Sequence, residues 1–513
     1  MSVVTSRRPV QSIDPNSGEI WGEHSAATPE EVRKAVDRAR AAQAGWAATS
    51  LHARARALVR FRDALYGRRA EIASLLERET GKPNPEALLE ILGVADAAMH
   101  AAKHAPRVLR PNRFRSRSIA TLRKTIEIRR EPWGVVGIIA PWNYPLLLAA
   151  FPMITSLVGG NGVVLKPSEF TPATGLILGE LFAEAGLPAG LVSVIPGDGQ
   201  TGAALIEAGV DQMVFTGSAA TGRRVAEACG RRLIPLHMEL GGSDPAIVLE
   251  DADVVTTAAG IAWGRFSNSG QTCTAAKRVF AVDSIHDRLV EELTRQIAEL
   301  RIGGADREMG AVIRPQQRDL LEQIRDDAIG SGGRVAYEGT RARAAGVMAP
   351  TLLVDLPAGA RALREEIFGP ILPVVRVQSG EEAVRLANES DFGLSASIWT
   401  ADMPRARKLA QSLQCGTVMI NDVLVVAGLA EAPHGGVKAS GIGRMHGIEG
   451  ILESTRVKAV VEDPFSRWKQ VWWFPYTPAV REGLDRYFTF VHGRGIWRRV
   501  IDGIRAVRLL YFR

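Results

Sequence analysis

Cysteine is scarce in this chain. Three residues, Cys229, Cys273 and Cys415, are spread through 513. That is too few for a disulfide framework and points to a reducing, cytoplasmic compartment. The stretch Met1 to Pro15 has no apolar core of signal-peptide length. No long uncharged apolar run occurs, so no transmembrane helix is expected. No internal repeat and no low-complexity linker is visible. Around Cys273 no second cysteine or histidine lies within metal-ligand reach in sequence, so no metal site is expected. The body of the chain also lacks net charge. The formal +7 is carried by residues 464–513, where ten Lys and Arg stand against three Asp and Glu. The basic balance belongs to one segment and gives no reason to expect nucleic-acid binding.

What is present is ordinary for a soluble globular protein, with 46% hydrophobic and 23% charged residues. The length calls for two or three domains. Residues 29–110 read as helices, with apolar residues at three- and four-residue spacing and a break at Gly81-Lys82-Pro83. Residues 121–131 alternate like a strand. Buried-strand runs follow at Val135–Ala140, Gly162–Leu165, Val192–Ile195 and Gln212–Phe215, with helical patterns between them. The alternation resumes at Arg278–Val282, Leu372–Val377, Ala396–Trp399 and Thr417–Asn421. Buried strands alternating with helices mean an α/β fold with two parallel-sheet domains.

Four of the chemistry-bearing motifs sit at the ends of these strands, and three more lie elsewhere along the chain. Asn268-Ser269-Gly270-Gln271-Thr272-Cys273 presents a lone cysteine in a polar turn, with Gly270 keeping the backbone open in front of the thiol. It is either a nucleophile or a small buried hydrophobe. Ala140-Pro141-Trp142-Asn143 ends the first strand, where Asn143 is a fixed amide donor or a turn residue capping the next helix. Lys166-Pro167-Ser168-Glu169 ends the second, and reads as a pair gripping a ribose diol or as a surface ion pair. Gly197 to Gly202 matches G-x-G-x-x-G but lacks the acidic partner about twenty residues on. Phe215-Thr216-Gly217-Ser218 opens a helix and is an anion site or a plain cap; without a P-loop lysine it does not suggest ATP hydrolysis. Glu239 before Gly241 and Gly242 is a candidate base for a water, or a turn carboxylate. Glu366 and Phe368 stand beside the turn Gly369-Pro370, where Phe368 either packs in the core or flanks a cofactor.

In this order the motifs resemble the aldehyde dehydrogenase superfamily, from about Asp14 to about Val461. The resemblance includes the late segment Pro433 to Lys438 and the 34-residue interval from Glu239 to Cys273. It implies a Rossmann-like NAD domain over residues 1–110 and 133–241. It implies a catalytic domain over 242–447 and a bridging, oligomerising β element from 111–132 and 448–463. It further implies attack on an aldehyde by Cys273, an oxyanion held by Asn143, and hydrolysis of the resulting thioester with Glu239 as base. The cofactor residues it implies are Ile139, Ala140, Trp142, Lys166, Ser168, Glu169, Gly199, Phe215, Gly217, Ser218, Gly222, Leu240, Glu366 and Phe368. NAD is favoured over NADP, because Glu169 would face a 2′-phosphate. A homodimer or homotetramer is expected.

Tyr144, Leu148 and Phe151, at helical spacing after Asn143, line an apolar substrate tunnel or fill a helix core; His434 stands where the family often has an apolar or aromatic tunnel residue. Ser267 is small and neutral where succinate-semialdehyde dehydrogenases carry an arginine, so an apolar aldehyde is expected. The alternatives are a succinate-semialdehyde-type enzyme, a coenzyme A-acylating enzyme and a non-catalytic protein on this fold. The segment 464–513 lies outside the family pattern and holds Trp468, Trp472, Trp473 and Trp497. Ile496, Trp497, Val500, Ile501, Ile504, Val507 and Tyr511 fall near one helical face, with arginines largely opposite. It is either a peripheral anchor on an anionic membrane or a segment packed on its own or a neighbouring subunit.

Overall fold

The computed structural model describes residues 9–118, 121, 123–304, 306–340, 346–464, 470 and 472–511. Leu122, Trp468 and the side chain of Tyr511, which the readings above include, lie outside this description. The chain divides into two compact units. The larger comprises Met1–Leu109 and Glu131–Arg456, and the smaller Arg110–Arg130 and Val457–Arg513.

The larger unit is built on two sheets. The first has six strands in the spatial order Gly441–Ile442, Leu236–Glu239, Gln212–Thr216, Val135–Ile139, Gly162–Lys166 and Val192–Val194. All but the short Gly441–Ile442 edge run parallel. Val135–Ile138, Gly162–Lys166 and Gln212–Phe215 are buried, which is why they read as unbroken apolar runs rather than alternating ones. The sequence order reverses at Val135–Ile139, whose neighbours are the next strand on one side and Gln212–Thr216 on the other. The crevice at the carboxyl ends beside such a reversal is where open α/β sheets bind ligands. The register puts Ile139 opposite both Lys166 and Phe215, and Thr216 opposite Glu239. Four of the motifs therefore come out at one edge.

The second sheet has seven strands, ordered Arg334–Glu338, Thr351–Val354, Ile371–Val377, Arg278–Val282, Pro245–Val248, Ser395–Trp399 and Thr417–Ile420. Only its Arg334–Glu338 edge is antiparallel. Four helices, Pro29–Ala47, Leu51–Gly67, Arg69–Thr80 and Asn84–Val108, fill the N-terminal region as its periodicity predicts. The hairpin Pro9–Ile13 with Ile20–Ser25 and the strands Leu236–Glu239, Pro245–Val248, Arg334–Glu338 and Thr351–Val354 are additions that the sequence reading did not contain. The two α/β halves have their own apolar cores. One gathers Phe61, Leu65, Phe151 and Phe182, the other Ile247, Phe280, Leu289 and Trp399.

The smaller unit joins a three-stranded sheet, Thr455–Glu462, Thr125–Pro132 and Asn112–Arg115, to the helices Pro478–His492 and Ile496–Tyr511. Of the segments expected to form the bridging element, 111–130 and 457–463 fall in one unit with the tail, and 131–132 and 448–456 fall in the larger unit. The two helices pack as a hairpin through Gly483 against Leu510 and Gly503 against Phe490, where a Cβ would come within 2.8 Å and 2.5 Å of the facing side chain. Among the described residues, no helix is long and apolar enough to cross a membrane.

Candidate active site

Cys273 follows a turn with unusual backbone geometry. The helix Val254–Phe266 ends, and three successive residues take left-handed φ values, Asn268 at 49°, Ser269 at 55° and Gly270 at 75°. Each non-glycine residue there costs about 1–2 kcal/mol, so the surroundings must hold the turn. Polar side chains do so. Gln271 donates from Nε2 to the Asn268 and Ala311 carbonyls and accepts the Ile313 N–H at 2.8 Å. Ser269 Oγ donates to the Gly310 carbonyl. Glu86 accepts the Asn268 N–H at 2.9–3.0 Å. A Cβ on Gly270 would lie 2.5 Å from the Gly369 backbone. Gly270 is therefore demanded by its φ and by that close approach, and not by an open path to the thiol as its position suggested.

Asn143 is brought to the same place. Its Nδ2 donates to the Gln271 carbonyl at 2.9 Å, which leaves one N–H of the amide for another acceptor. Its own carbonyl accepts from Asn268 Nδ2 at 2.9 Å and Lys82 Nζ at 3.1 Å. Lys82 forms an ion pair with Glu90 in which both side chains have 0% exposure. Glu90 Oε1 also accepts the Leu146 and Leu147 N–H groups at 2.9 and 3.0 Å. Lys82, Glu86 and Glu90, none of them singled out in the sequence, thus bind the asparagine loop and the cysteine loop to one helix. Acids four residues apart on a helix look like a solvated face, and only the break at Gly81-Lys82-Pro83 hinted otherwise.

Cys273 is half-buried. Burial pushes its thiol up to about 12; Lys277 pulls the other way, and Asp244, Glu366 and Glu239 add to the rise. Glu239 lies at the end of its strand, buried. Its Oε1 pairs with His237 Nε2 at 3.1 Å, while Oε2 has no hydrogen-bond partner. His434 Nε2 stands 3.7 Å from Oε2. His434 stacks on His446, and His446 stacks on Phe151 with ring centroids 4.0 Å apart. Burial holds both imidazoles below their usual pKa. Phe151 belongs to the apolar core, Leu148 is buried, and Tyr144 bonds Thr272 Oγ1 at 3.1 Å beneath the Lys82 ammonium.

The other motif residues gather around the same sheet edge. Lys166 Nζ lies 3.2 Å from Glu169; the lysine is buried and the glutamate half-buried. Ser218 caps the helix Ala219–Arg231. Gly217 and Gly222 sit where a Cβ would strike Phe215 and Leu240 at 2.6 Å. Glu366 Oε1 accepts from Lys277 Nζ at 2.9 Å and the Gly242 N–H at 3.1 Å. Phe368 meets Trp142 edge-on at 5.4 Å, and the Arg314 guanidinium lies over Trp142 and Phe170. Ile139 and Ala140 end their strand beside Lys166, whereas Gly199 has open space around it. No group of three His, Cys, Asp or Glu that could hold a metal ion occurs among the described residues.

Fold and site define an α/β enzyme with a cysteine, an amide and a carboxylate collected where its two sheet-built halves meet. A family model, the aldehyde dehydrogenase family, matches residues 3–460. A 4,4′-diapolycopene aldehyde oxidase of Methylomonas sp is 36% identical, over 94% of this chain and 91% of its own. A Mycolicibacterium smegmatis protein with the provisional name succinate-semialdehyde dehydrogenase (NADP(+)) is also 36% identical, over 88% and 90%. The structure of an NAD-dependent aldehyde dehydrogenase from Sinorhizobium meliloti superposes with a TM-score of 0.87 at 34% identity, covering 91% of this chain and 93% of that one. The chain belongs to the aldehyde dehydrogenase family, and it is an oxidoreductase of aldehydes.

Proposed function

We propose that the enzyme oxidises an apolar aldehyde to its carboxylic acid through a thioester on Cys273, with NAD as acceptor. The observation that carries this is Glu239 Oε2, a buried carboxylate oxygen with no donor, in a region dense enough for Glu239 to raise the Cys273 thiol. Buried acceptors are nearly always satisfied, and one left bare beside a nucleophile suits a water to be activated. Cys273 attacks the aldehyde carbon, forming the C–S bond as its S–H proton passes to solvent. The free N–H of Asn143 and the Cys273 N–H hold the oxyanion, at about 3–4 kcal/mol per donor. Glu239 then takes a proton from water, hydroxide adds to the thioester carbon, and the C–S bond breaks. Cys273→Ala should abolish oxidation. Glu239→Gln should give one stoichiometric burst of NADH and then stall; an unaltered steady-state rate would remove Glu239 from this role.

The residues present suit a dinucleotide. Lys166, Ser168 and Glu169 would hold the adenosine ribose. Gly217, Ser218 and the helix start behind them would take the diphosphate, and Arg314 Nε, buried without a partner, is a further donor for an anion beside Trp142. Glu366 has its Oε2 left for the second ribose, next to Phe368. When bound, the oxidised nicotinamide supplies the hydride acceptor. For the substrate, Ser267 offers no cation to a distal carboxylate, and a diapolycopene aldehyde, the namesake of one relative, is a hydrocarbon chain ending in an aldehyde. The names of other relatives favour succinate semialdehyde instead. Comparing kcat/KM for that compound with hexanal and benzaldehyde decides, and a large preference for succinate semialdehyde would overturn the apolar reading.

The tail fits the same reading. Ile496, Trp497, Ile504 and Phe488 are 66–80% exposed, and Trp473 and Phe474 are exposed upstream. Arg498, Arg505 and Arg508 are exposed alongside, while two of the three acids, Glu482 and Asp502, ion-pair with Arg486. We propose that this face lies on an anionic lipid surface. The full chain should pellet with phosphatidylglycerol vesicles and not with phosphatidylcholine ones, and Trp497→Glu with Ile504→Glu should stop it. If neither vesicle pellets the protein, or if these substitutions break an oligomer, the face binds another copy instead.

A further inference from the structure

His237 is buried between two carboxylates. Its Nε2 is 3.1 Å from Glu239 Oε1 and its Nδ1 is 3.2 Å from Glu453 Oε2. His237 and Glu239 are two apart on one strand, so they share a face, while Met238 turns into the apolar core behind. Exposure rises along the row, from 5% and 7% for the Glu239 and His237 side chains to 40% for Glu453. Glu453 is itself fixed. Its Oε1 accepts the Arg444 N–H at 3.1 Å, and its carbonyl accepts from Trp133 Nε1 and Gln212 Nε2 at 3.1 Å each. A cavity of about 20 Å³ has a mixed polar and apolar lining that includes His237, Glu453, Arg444, Gln212, Val214 and Met445. It has room for about one water.

We propose that His237, held by Glu453, is the positioning residue of the catalytic carboxylate: it fixes Oε1, leaves Oε2 as the one oxygen able to take a proton from water, and compensates the charge when that proton arrives. This rests on Glu239 being the base. As an O–H bond of water breaks and its proton settles on Glu239, the imidazolium loses its second negative neighbour. It gives its Nδ1 proton to Glu453, which passes it to solvent. When the C–S bond breaks, the departing sulfur takes the proton from Glu239, and His237 recovers one from solvent by the same route. No net charge builds up in the buried row. Burial by itself would strip the ring, but hydrogen bonds from it to Glu239 and Glu453 hold its pKa up to about 9. The other charged or titratable groups facing it are Arg444, whose backbone N–H bonds Glu453, and His434, whose pKa burial lowers.

The test compares NADH burst and steady-state turnover across pH for the wild type, His237→Gln, Glu453→Gln, Glu453→Asp and Glu239→Gln. Loss of the imidazolium should leave the burst within about twofold. It should lower turnover by about 10- to 100-fold, the lower range for a positioned acid–base group, with KM unchanged. Without the cation the acid limb of the turnover profile should move to higher pH, and Glu453→Asp should keep most of the wild-type limb. A merely structural role would lower burst and turnover together and leave the limb in place. If His237→Gln does not fold, the half-exposed Glu453→Gln decides alone. If Glu239→Gln stalls after its burst while His237→Gln and Glu453→Gln keep the wild-type limb, the inference fails and the base assignment stands. If Glu239→Gln turns over normally, the base assignment itself fails.

Discussion

Replacing Lys82 by methionine is the sharpest test of how the site is held. Lys82 Nζ reaches Glu90 and the Asn143 carbonyl, 4.2 Å above the Tyr144 ring centre, with no solvent on either member of the pair. Methionine fills a similar volume but leaves Glu90 as a buried carboxylate facing only the Leu146 and Leu147 N–H groups. Removing one partner of such a pair costs about 3–5 kcal/mol. Glu90→Gln alone strands the ammonium and should cost a similar amount. The double change Lys82→Met with Glu90→Gln removes both charges, and the glutamine oxygen still accepts the two N–H groups. It should therefore be more stable than either single change, a coupling of opposite sign to simple accumulation. Unfolding rates followed by residual activity after heating suit a large chain that does not refold. Because Asn143 loses one of two anchors on its carbonyl, Lys82→Met should also lower kcat more than it raises KM. A Lys82→Met cost below about 1 kcal/mol, or a double variant as unstable as the sum of the singles, would refute the reasoning.

Three further outcomes are expected. NAD should exceed NADP in kcat/KM, and Glu169→Ala should narrow the gap; equal use of both by the wild type would displace Glu169 from the ribose. Gly270→Ala should destabilise the cysteine turn and cut activity, since it strains a φ of 75° and sets a Cβ 2.5 Å from the Gly369 backbone; wild-type activity and half-life on heating would refute that. His237 binds its proton more tightly folded than unfolded, so its stabilisation is complete below pH about 6.5 and is lost as pH rises through about 9. Melting curves at pH 6 and pH 9.5 should show the wild type losing more than His237→Gln, and parallel losses would contradict the pairing.

Much of the fold was legible because buried parallel strands leave unbroken apolar runs bounded by turns. Val135–Ile139 and Gly162–Lys166 could hardly be read otherwise. Pro245–Val248 was missed because four residues so soon after Glu239-Leu240-Gly241-Gly242 read as the continuation of a motif. The motifs at Asn143, Lys166, Gly217 and Glu239 were visible since each stands at or just past a strand end, and the register then aligns those ends. The residues that hold the site were not visible. Glu86, Glu90 and His237 carry no local signature; their importance comes from pairing at sequence distances such as 182 residues between Glu86 and Asn268. The upward push on the thiol was equally hidden, because it comes from burial and from carboxylates of two other segments.

The strand that ends in Glu239 is completed by Gly441–Ile442, which pairs with it antiparallel, and Ser440 adds a bond to the Gly241 carbonyl. Those segments are about 200 residues apart in the chain. At about 5–20 residues per second, a growing polypeptide carries that strand with one edge uncovered for roughly 10–40 s. During this interval the carboxylate lacks His434 and the backbone that later close over it. A ribosome that stops between Cys273 and Gly441 therefore releases a protein whose thiol is already made but whose Glu239 strand still has one edge uncovered.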